Sequence, residues 1–515
     1  MPKTYSDFMI EITDQELYDG LIQYGLFAEK LPPIFDGSDF LQYCKAPKNN
    51  NLCGQASKGF VSFQSMRNTN VPRMMGIPTP MSYERLCACL KDNWSNLQRF
   101  FEASTSNQAF IVSRTHIRKM QNSDSLFEMN YDNWRVDGTP EPDILIGKRY
   151  MVKADISNCF PSIYSHAIPW ALVSKVAAKA DTDEKSWQNQ IDKSVRNTTY
   201  GETHGILIGP HTSNVISEII LCAVDKKLCD HWNYVRHIDD YECYVETKEK
   251  AEAFLVELSK WLRTFGLSLN NKKTEILELP VGAIEQWVRQ LKDKTVYFGK
   301  FRGYVDYKEV QSFLDYCIEL IPKNGGNASI LFYALKVLNK QNLTDNAKRY
   351  LEKTMVSLSL IYPYLIPHLD KYVFEICGTD TTDLKRFINI VYKKYSGVDN
   401  FEAMAFSLFL AAKYDVVIDG IDSKTIIEKN DCILLLCLLI YARRRNSKTV
   451  RKNLETHARS LIDSEEMDSF WIFIYECLPE NDLKDDWKAL KKAKVSFLKT
   501  EYRKQRSKWN DKRGC

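Results

Sequence analysis

Tyr234-Val235-Arg236-His237-Ile238-Asp239-Asp240-Tyr241-Glu242-Cys243-Tyr244-Val245 is the stretch on which the reading of this chain turns. Tyr234 to Ile238 and Tyr241 to Val245 are strand-like runs, and the two aspartates fall at the junction where a tight hairpin would reverse the chain. Such a turn holds carboxylates at a sheet's edge. Taken alone, adjacent aspartates mark a solvated turn. Their weight here comes from two earlier segments, an apolar run ending in Ala154-Asp155-Ile156 and the glycine-bearing Gly205 to Ser213. If Asp155 ends a neighbouring strand, it can face Asp239 and Asp240. The three carboxylates then suit two Mg2+ ions, with Mn2+ an allowed substitute, for in-line phosphoryl transfer.

In that order the segments resemble the palm of a reverse transcriptase. Ala154-Asp155-Ile156-Ser157-Asn158-Cys159-Phe160-Pro161-Ser162-Ile163-Tyr164 looks like motif A. The resemblance makes Asp155, Ile156, Asp239 and Asp240 metal ligands. Phe160 falls where the family has its steric gate, and a bulky ring there implies that deoxynucleotides are preferred. Gly205-Ile206-Leu207-Ile208-Gly209-Pro210-His211-Thr212-Ser213 is similar to motif B, a turn with a Ser cap opening a helix through Val215 to Val224. Glycine there lets backbone approach the template and the incoming base. The resemblance places Gly209, Pro210 and Ser213 on the nucleotide side of the site. The chain departs from the family at His237, where motif C usually has Tyr or Phe, and at Ile208, where motif B usually has Gln. Both departures bear on the template and primer side more than on the metals.

After an amphipathic segment, Ala251 to Phe265, the run Gly266-Leu267-Ser268-Leu269-Asn270-Asn271-Lys272-Lys273-Thr274 looks like motif D. Its lysine, Lys273, would donate a proton to the leaving pyrophosphate or balance its charge. Val296-Tyr297-Phe298-Gly299 resembles the primer-grip hairpin, motif E. Upstream, Arg73-Met74-Met75-Gly76-Ile77-Pro78 with Arg85-Leu86 resembles the fingers, where Arg73 would clamp the triphosphate. Arg114, Arg118, Lys119, Lys148, Arg149 and Lys153 add positive charge, some of it expected to meet nucleic-acid phosphates and most of it plain surface.

Within the reverse transcriptases the likeness is to bacterial phage-defence enzymes of the abortive-infection and defence-associated groups. It is carried by Pro161-Ser162-Ile163-Tyr164-Ser165-His166-Ala167-Ile168-Pro169-Trp170-Ala171, with Glu16 to Ile22 and Leu31 to Phe35 giving the same impression. That resemblance implies an antiviral role. It allows priming on a protein hydroxyl, a noncoding RNA partner and a homo-oligomer.

Composition bounds the rest. At 515 residues, with 44% hydrophobic and 12% aromatic content, the chain is long enough for several folded domains. The N-terminal residues lack a charged-then-apolar leader, and the longest apolar run, Cys432 to Ala442, is about half a membrane span, so a cytoplasmic protein with no membrane partner is expected. Fourteen cysteines without paired Cys-x-x-Cys spacing argue for reduced thiols rather than zinc.

Beyond about residue 305 the strand signals vanish. Val310 to Ile321, Ala328 to Leu338, Asn346 to Leu360, Asp383 to Tyr395, Phe401 to Lys413, Asp431 to Ala442, Thr449 to Ile462 and Met467 to Leu478 show helical apolar spacing. The expected fold is therefore α+β: an N-terminal segment and fingers over 1–150, a palm over 151–305, and an all-α, solenoid-like thumb and C-terminal region over 306–515. Net charge is only +4, yet Lys484 to Cys515 carries twelve Lys or Arg against four Asp or Glu, interleaved with Trp487, Phe497, Tyr502 and Trp509. Such a tail could bind single strands or be a solvated amphipathic helix.

The sequence thus points to an RNA-directed or template-independent DNA polymerase that takes dNTPs. The alternatives are an RNA polymerase or nucleotidyl transferase on the same palm, against which Phe160 argues, and a catalytically idle nucleic-acid scaffold, against which the three carboxylates argue.

Overall fold

The computed structural model describes residues 3–46, 58–119, 127–128, 137–282, 284–296, 298–300 and 302–503. Its centre is a four-stranded antiparallel sheet built from β5 (Tyr150–Asp155), β6 (Tyr234–His237), β7 (Asp240–Val245) and β8 (Glu275–Glu278), in the order β6-β7-β5-β8. Alternation buries Val152 and Ala154 on one side of β5 and Tyr241 and Cys243 on β7. That face is covered by the helices His211–Leu228 and Lys248–Thr264. The former is buried along most of its length, which is why its sequence is apolar all round.

Ahead of the sheet lie two short strand pairs. β1 (Phe60–Met66) and β2 (Pro72–Pro78) form the fingers hairpin, and β3 (Arg118–Lys119) pairs with β4 (Phe127–Glu128). Capping boxes at Thr4 and Thr13 open the helices Tyr5–Ile10 and Asp14–Tyr24, which seal the apolar underside.

From Tyr307 onward the described chain is helical. Tyr307–Lys323, Ser329–Leu338, Asp345–Ser359, Thr381–Ser396, Phe401–Lys413, Cys432–Arg444 and Lys448–Leu461 coincide with the expected segments to within a few residues. Met467 to Leu478 divides into a 3-10 turn and the helix Trp471–Cys477. Every residue from Cys432 to Ala442 is buried, and the Asp431 side chain accepts from Leu434 N at 2.8 Å to cap that helix. Among the described residues, no helix is long and apolar enough to cross a membrane.

This helical region folds back on the fingers. Glu402 accepts from Met66 N at 2.8 Å, Asp468 accepts from Gly59 N at 2.8 Å, and Trp471 Nε1 donates to Ile77 O at 3.2 Å. Ala328 N donates to Asn68 O, and Leu498 bridges to Phe35. One apolar core therefore runs from Tyr5 to Leu498.

Three expectations need correction. The aromatics of the basic C-terminal stretch are not stacking platforms: Trp487 stacks on Trp471, Phe497 is fully buried, and Tyr502 packs on Phe409. Trp509 lies outside the described residues. No primer-grip hairpin forms among the described residues around 296. Val296 follows the helix Gln286–Thr295, Phe298 packs edge-on against Phe313, and Tyr297 is outside the description. The cations ahead of motif A are mostly committed to carboxylates. Arg114 and Arg118 are buried on Asp137, while Lys119, Lys148 and Arg149 pair with Glu16, Glu246 and Glu278.

Candidate active site

The hairpin between β6 and β7 turns at Ile238-Asp239, one residue earlier than the expected Asp-Asp junction, so Asp240 is the first residue of β7. Ile238 adopts φ +58°, a conformation that β-branched side chains rarely take. Strain of this kind persists where surroundings over-determine it. Here the determinant is Arg236, fully buried two residues before, whose Nη1 donates to Ile238 O at 2.9 Å. The same guanidinium reaches Glu218 Oε2 at 3.0 Å and Asp225 Oδ2 at 2.6 Å, both on His211–Leu228. Tyr234 Oη and Tyr5 Oη also donate to Asp225 and Glu218 respectively, so both buried carboxyls are hydrogen-bonded around one shared cation; against burial, Arg236 holds Glu218 down to about 2, while burial raises Asp225.

Asp155 closes β5 directly across the ladder from Asp240. Ile156 N donates to Asp239 O at 3.2 Å, which ties the turn to the end of β5. The three aspartates therefore stand together at one end of the sheet. Asp155 Oδ1 accepts from Asn270 Nδ2 at 2.9 Å, and Oδ2 from Lys273 Nζ at 2.6 Å. Burial raises the Asp239 carboxyl above its usual range, with the charge of Asp155 adding to it and Lys273 and Arg73 opposing. Enclosure and then the charges of Asp239 and Asp155 push Asp240 up to about 7. Since Asp240 is itself open to the cleft, the two neighbouring charges are the more durable part of that shift. A set of oxygen donors that repel one another is what a hard divalent cation would neutralise.

Motifs A and B are knitted to each other and to the fingers. Gly205 N donates to Ile163 O and Ile206 N to Phe160 O, while Gly76 N donates to Ile208 O at 2.9 Å. A Cβ at Gly76 would lie 2.8 Å from the Leu207 side chain, so any larger residue there would make Leu207 shift where β2 approaches motif B. Gly209 takes φ +130°. Pro210 is the N-cap of the following helix, and Ser213 is buried in its first turn, so Ser213 does not cap it. Phe160, half-buried, packs at the edge of the core beside the N-cap Asn158.

Arg73 is exposed on β2, where it feels Asp239, and burial and Arg67 lower its pKa. Arg85 faces Glu84 and Asp486 instead of the carboxylate cluster. His237, opposite Asp240 in the ladder, is held down to about 4 by burial and by Arg114 and Arg236, so it is neutral at physiological pH. Four residues without an assigned role from sequence complete the site: Glu218, Asp225, Arg236 and Asn270. A signal exists for the first three, because two acids seven apart on an otherwise apolar helix share a face and Arg236 interrupts an apolar strand.

With that geometry in place, one known family model bears on the same residues. Residues 85–298 match the family model described as reverse transcriptase (RNA-dependent DNA polymerase). The chain therefore carries a reverse transcriptase domain over those residues. Solved structures similar to it include apo telomerase from Candida tropicalis truncated from its C-terminal domain, at 12% identity and TM-score 0.28, covering 45% of this chain and 52% of that one. Another is apo telomerase from Candida tropicalis, at 11% identity and TM-score 0.34, covering 88% and 77% respectively. Telomerase from Candida albicans in complex with a TWJ fragment of telomeric RNA gives 12% identity and TM-score 0.30, over 85% and 67%. The chain spans about half the length of the first of these. No curated protein matches it.

Proposed function

We propose that this reverse transcriptase domain incorporates deoxynucleotides into DNA with Asp155, Asp239 and Asp240 as its metal-binding carboxylates and Lys273 as the group that serves the leaving pyrophosphate. The observation that carries this reading is the placing of Asp155, Asp239 and Asp240 at one end of the sheet, with Lys273 Nζ 2.6 Å from Asp155; among the described residues their side chains do not yet close into a three-ligand cluster, and a bound cation would draw them together. The donor set is all oxygen, which fits Mg2+ or Mn2+. Asp155, Asp239 and Asp240 would hold the ions, and Ile156, whose side chain is buried, could contribute only its carbonyl. Bound there, such ions supply activation of a hydroxyl nucleophile and charge neutralisation at the phosphates. Arg73 takes the triphosphate, Phe160 screens the sugar, and Gly209, Pro210 and Ser213 shape the turn beneath the templating base.

RNA-templated or untemplated synthesis, priming on a protein hydroxyl, a noncoding RNA partner, an oligomeric assembly in the cytoplasm and a role in antiphage defence complete the reading. They are supported by the sequence resemblance around motif A. The test is incorporation of each labelled dNTP or NTP by purified protein with Mg2+, with and without RNA, followed by protease. DNA made by the wild type and lost in Asp239→Ala supports the polymerase, and a protease-dependent shift in mobility supports protein priming. Absence of incorporation even by protein copurified with its cellular RNA would overturn the reading.

A further inference from the structure

Four exposed cations meet where three distant parts of the chain come together. Lys30 lies on the N-terminal segment, Arg67 and Arg73 on the fingers hairpin, and Lys336 on the helix Ser329–Leu338. Among the described residues none of these four forms an ion pair, whereas other cations such as Lys3 and Lys413 do. The two lysines rest on rings. Lys30 Nζ lies 5.1 Å over the Tyr364 ring and Lys336 Nζ 4.4 Å over Phe332. His368 stacks on Phe332 at 3.9 Å and sits edge-on to Tyr364 at 5.4 Å, which joins the two lysines through one aromatic cluster.

The electrostatics agree with that proximity. Burial and then Lys30 and Lys336 hold the His368 imidazole down to about 3. Lys30 is itself lowered by burial, with Arg73 and Lys336 pressing the same way and Glu402 and Glu29 opposing. Those two acids are the carboxylates facing the patch, and Glu402 is already engaged by Met66 N. Four cations facing two carboxylates leave an excess of positive charge whose self-repulsion a polyanion would relieve.

We propose that Lys30 and Lys336, continuous with Arg67 and Arg73, form a phosphate-binding wall that holds a single-stranded nucleic acid beside the carboxylate site. The wall requires the C-terminal helices to close onto the fingers, as the Ala328–Asn68 and Glu402–Met66 contacts make them do. A strand fits better than a lone triphosphate, because the cations span three chain segments and are interleaved with the aromatic rings of Phe332, Tyr364 and His368. The proposal rests on the polymerase reading, with Arg73 marking the boundary toward Asp239.

The test uses the full chain and a fluorescent 20-mer of oligo-dT or oligo-rU, with anisotropy measured across a NaCl series for wild type and the Lys30→Ala/Lys336→Ala variant. Both residues are exposed overall and neither is in an ion pair among the described residues, so truncation is expected to leave the fold intact, which an unchanged thermal midpoint checks. Loss of two phosphate contacts should weaken binding roughly tenfold and flatten the slope of log affinity against log salt by about 1.4, with the dNTP KM unchanged. An unchanged slope overturns the proposal, and if the dNTP KM rises at the same time, the wall is a triphosphate clamp instead. Binding is read without turnover. Failure of incorporation with a flattened slope therefore sinks the polymerase reading and spares the wall, and the reverse pattern does the opposite.

Discussion

The Lys273 ammonium lies 2.6 Å from Oδ2 of Asp155, on the carboxylate that ends β5. Asn270 holds the other oxygen of the same group, so motif D grips motif A with one neutral and one charged donor. A cation on a carboxylate competes with any metal that uses it. Lys273→Met is expected to lower the rate of dNTP incorporation by about 100-fold, the usual scale for losing a proton donor. The same change should reduce the Mg2+ concentration needed for half-maximal activity. A metal titration of both proteins decides this, and an unchanged or raised Mg2+ requirement would show that the ion pair does not oppose the metal.

Asp240 faces Asp155 across the ladder and stands beside Asp239, and no structural cation other than Lys273 touches this group directly among the described residues. Removing one charge should therefore separate activity from stability. Asp240→Asn is expected to abolish incorporation, by about 1000-fold or more, while raising the thermal midpoint at pH 8. The sign follows from the upward shift of Asp240. A carboxyl raised in the folded state takes up a proton on folding, so its ionisation penalises the fold as pH climbs from the unfolded value toward about 7. A variant that loses activity and also melts lower at pH 8 would contradict the crowding of carboxylates.

The placing of Asp155, Asp239 and Asp240 at strand ends is legible in the sequence because strand periodicity and a turn act locally, whereas their reading as a site rests on the order of the motifs and the resemblance it carries. The C-terminal helices are legible for the same reason: their apolar spacing is local, so Phe401–Lys413 is found at its observed bounds. The hydrogen bond of Gly59 to Asp468 spans 409 residues and leaves no local mark. For that reason the closure of the helical region onto the fingers, and with it the meeting of Lys30 and Lys336, emerges only from the structure. Trp487 and Phe497 show the converse. Basic neighbours make them read as a binding surface, but aromatic area this large is strongly favoured inside, and here the core of Trp471 and Tyr475 receives it.

Arg236 is the one cation shared by Glu218 and Asp225 inside the palm, and it holds the carbonyl of Ile238, which sits at positive φ. Arg236→Met leaves two enclosed acids without their cation, a change that costs about 3–5 kcal/mol. Equilibrium urea unfolding should report a loss of that order. A triple change, Arg236→Met with Glu218→Gln and Asp225→Asn, should recover much of it, because the uncompensated charges are gone. Recovered stability with incorporation still impaired would assign Arg236 to the shape of the Ile238-Asp239 turn.

Glu402 sits where the helix Phe401–Lys413 meets β1, accepting from Met66 N, and burial raises its carboxyl to about 7 against the hydrogen bonds of Met66 and Ser65 and the charge of Lys30. The folded state thus binds a proton that the unfolded chain releases near 4.5. Between those values folding takes up a proton, so stability falls as pH rises from about 4.5 to 7 and stays reduced above it. Glu402→Gln keeps an acceptor for Met66 N and removes the ionisation. The variant should gain on the wild type as pH rises, by about 1–3 kcal/mol at pH 8, and the two should converge near pH 4.5. Thermal midpoints at pH 4.5, 6 and 8 measure this directly. A difference that stays constant with pH would mean that Glu402 is ionised throughout, and that the junction between fingers and helices carries a charge it does not need to discharge.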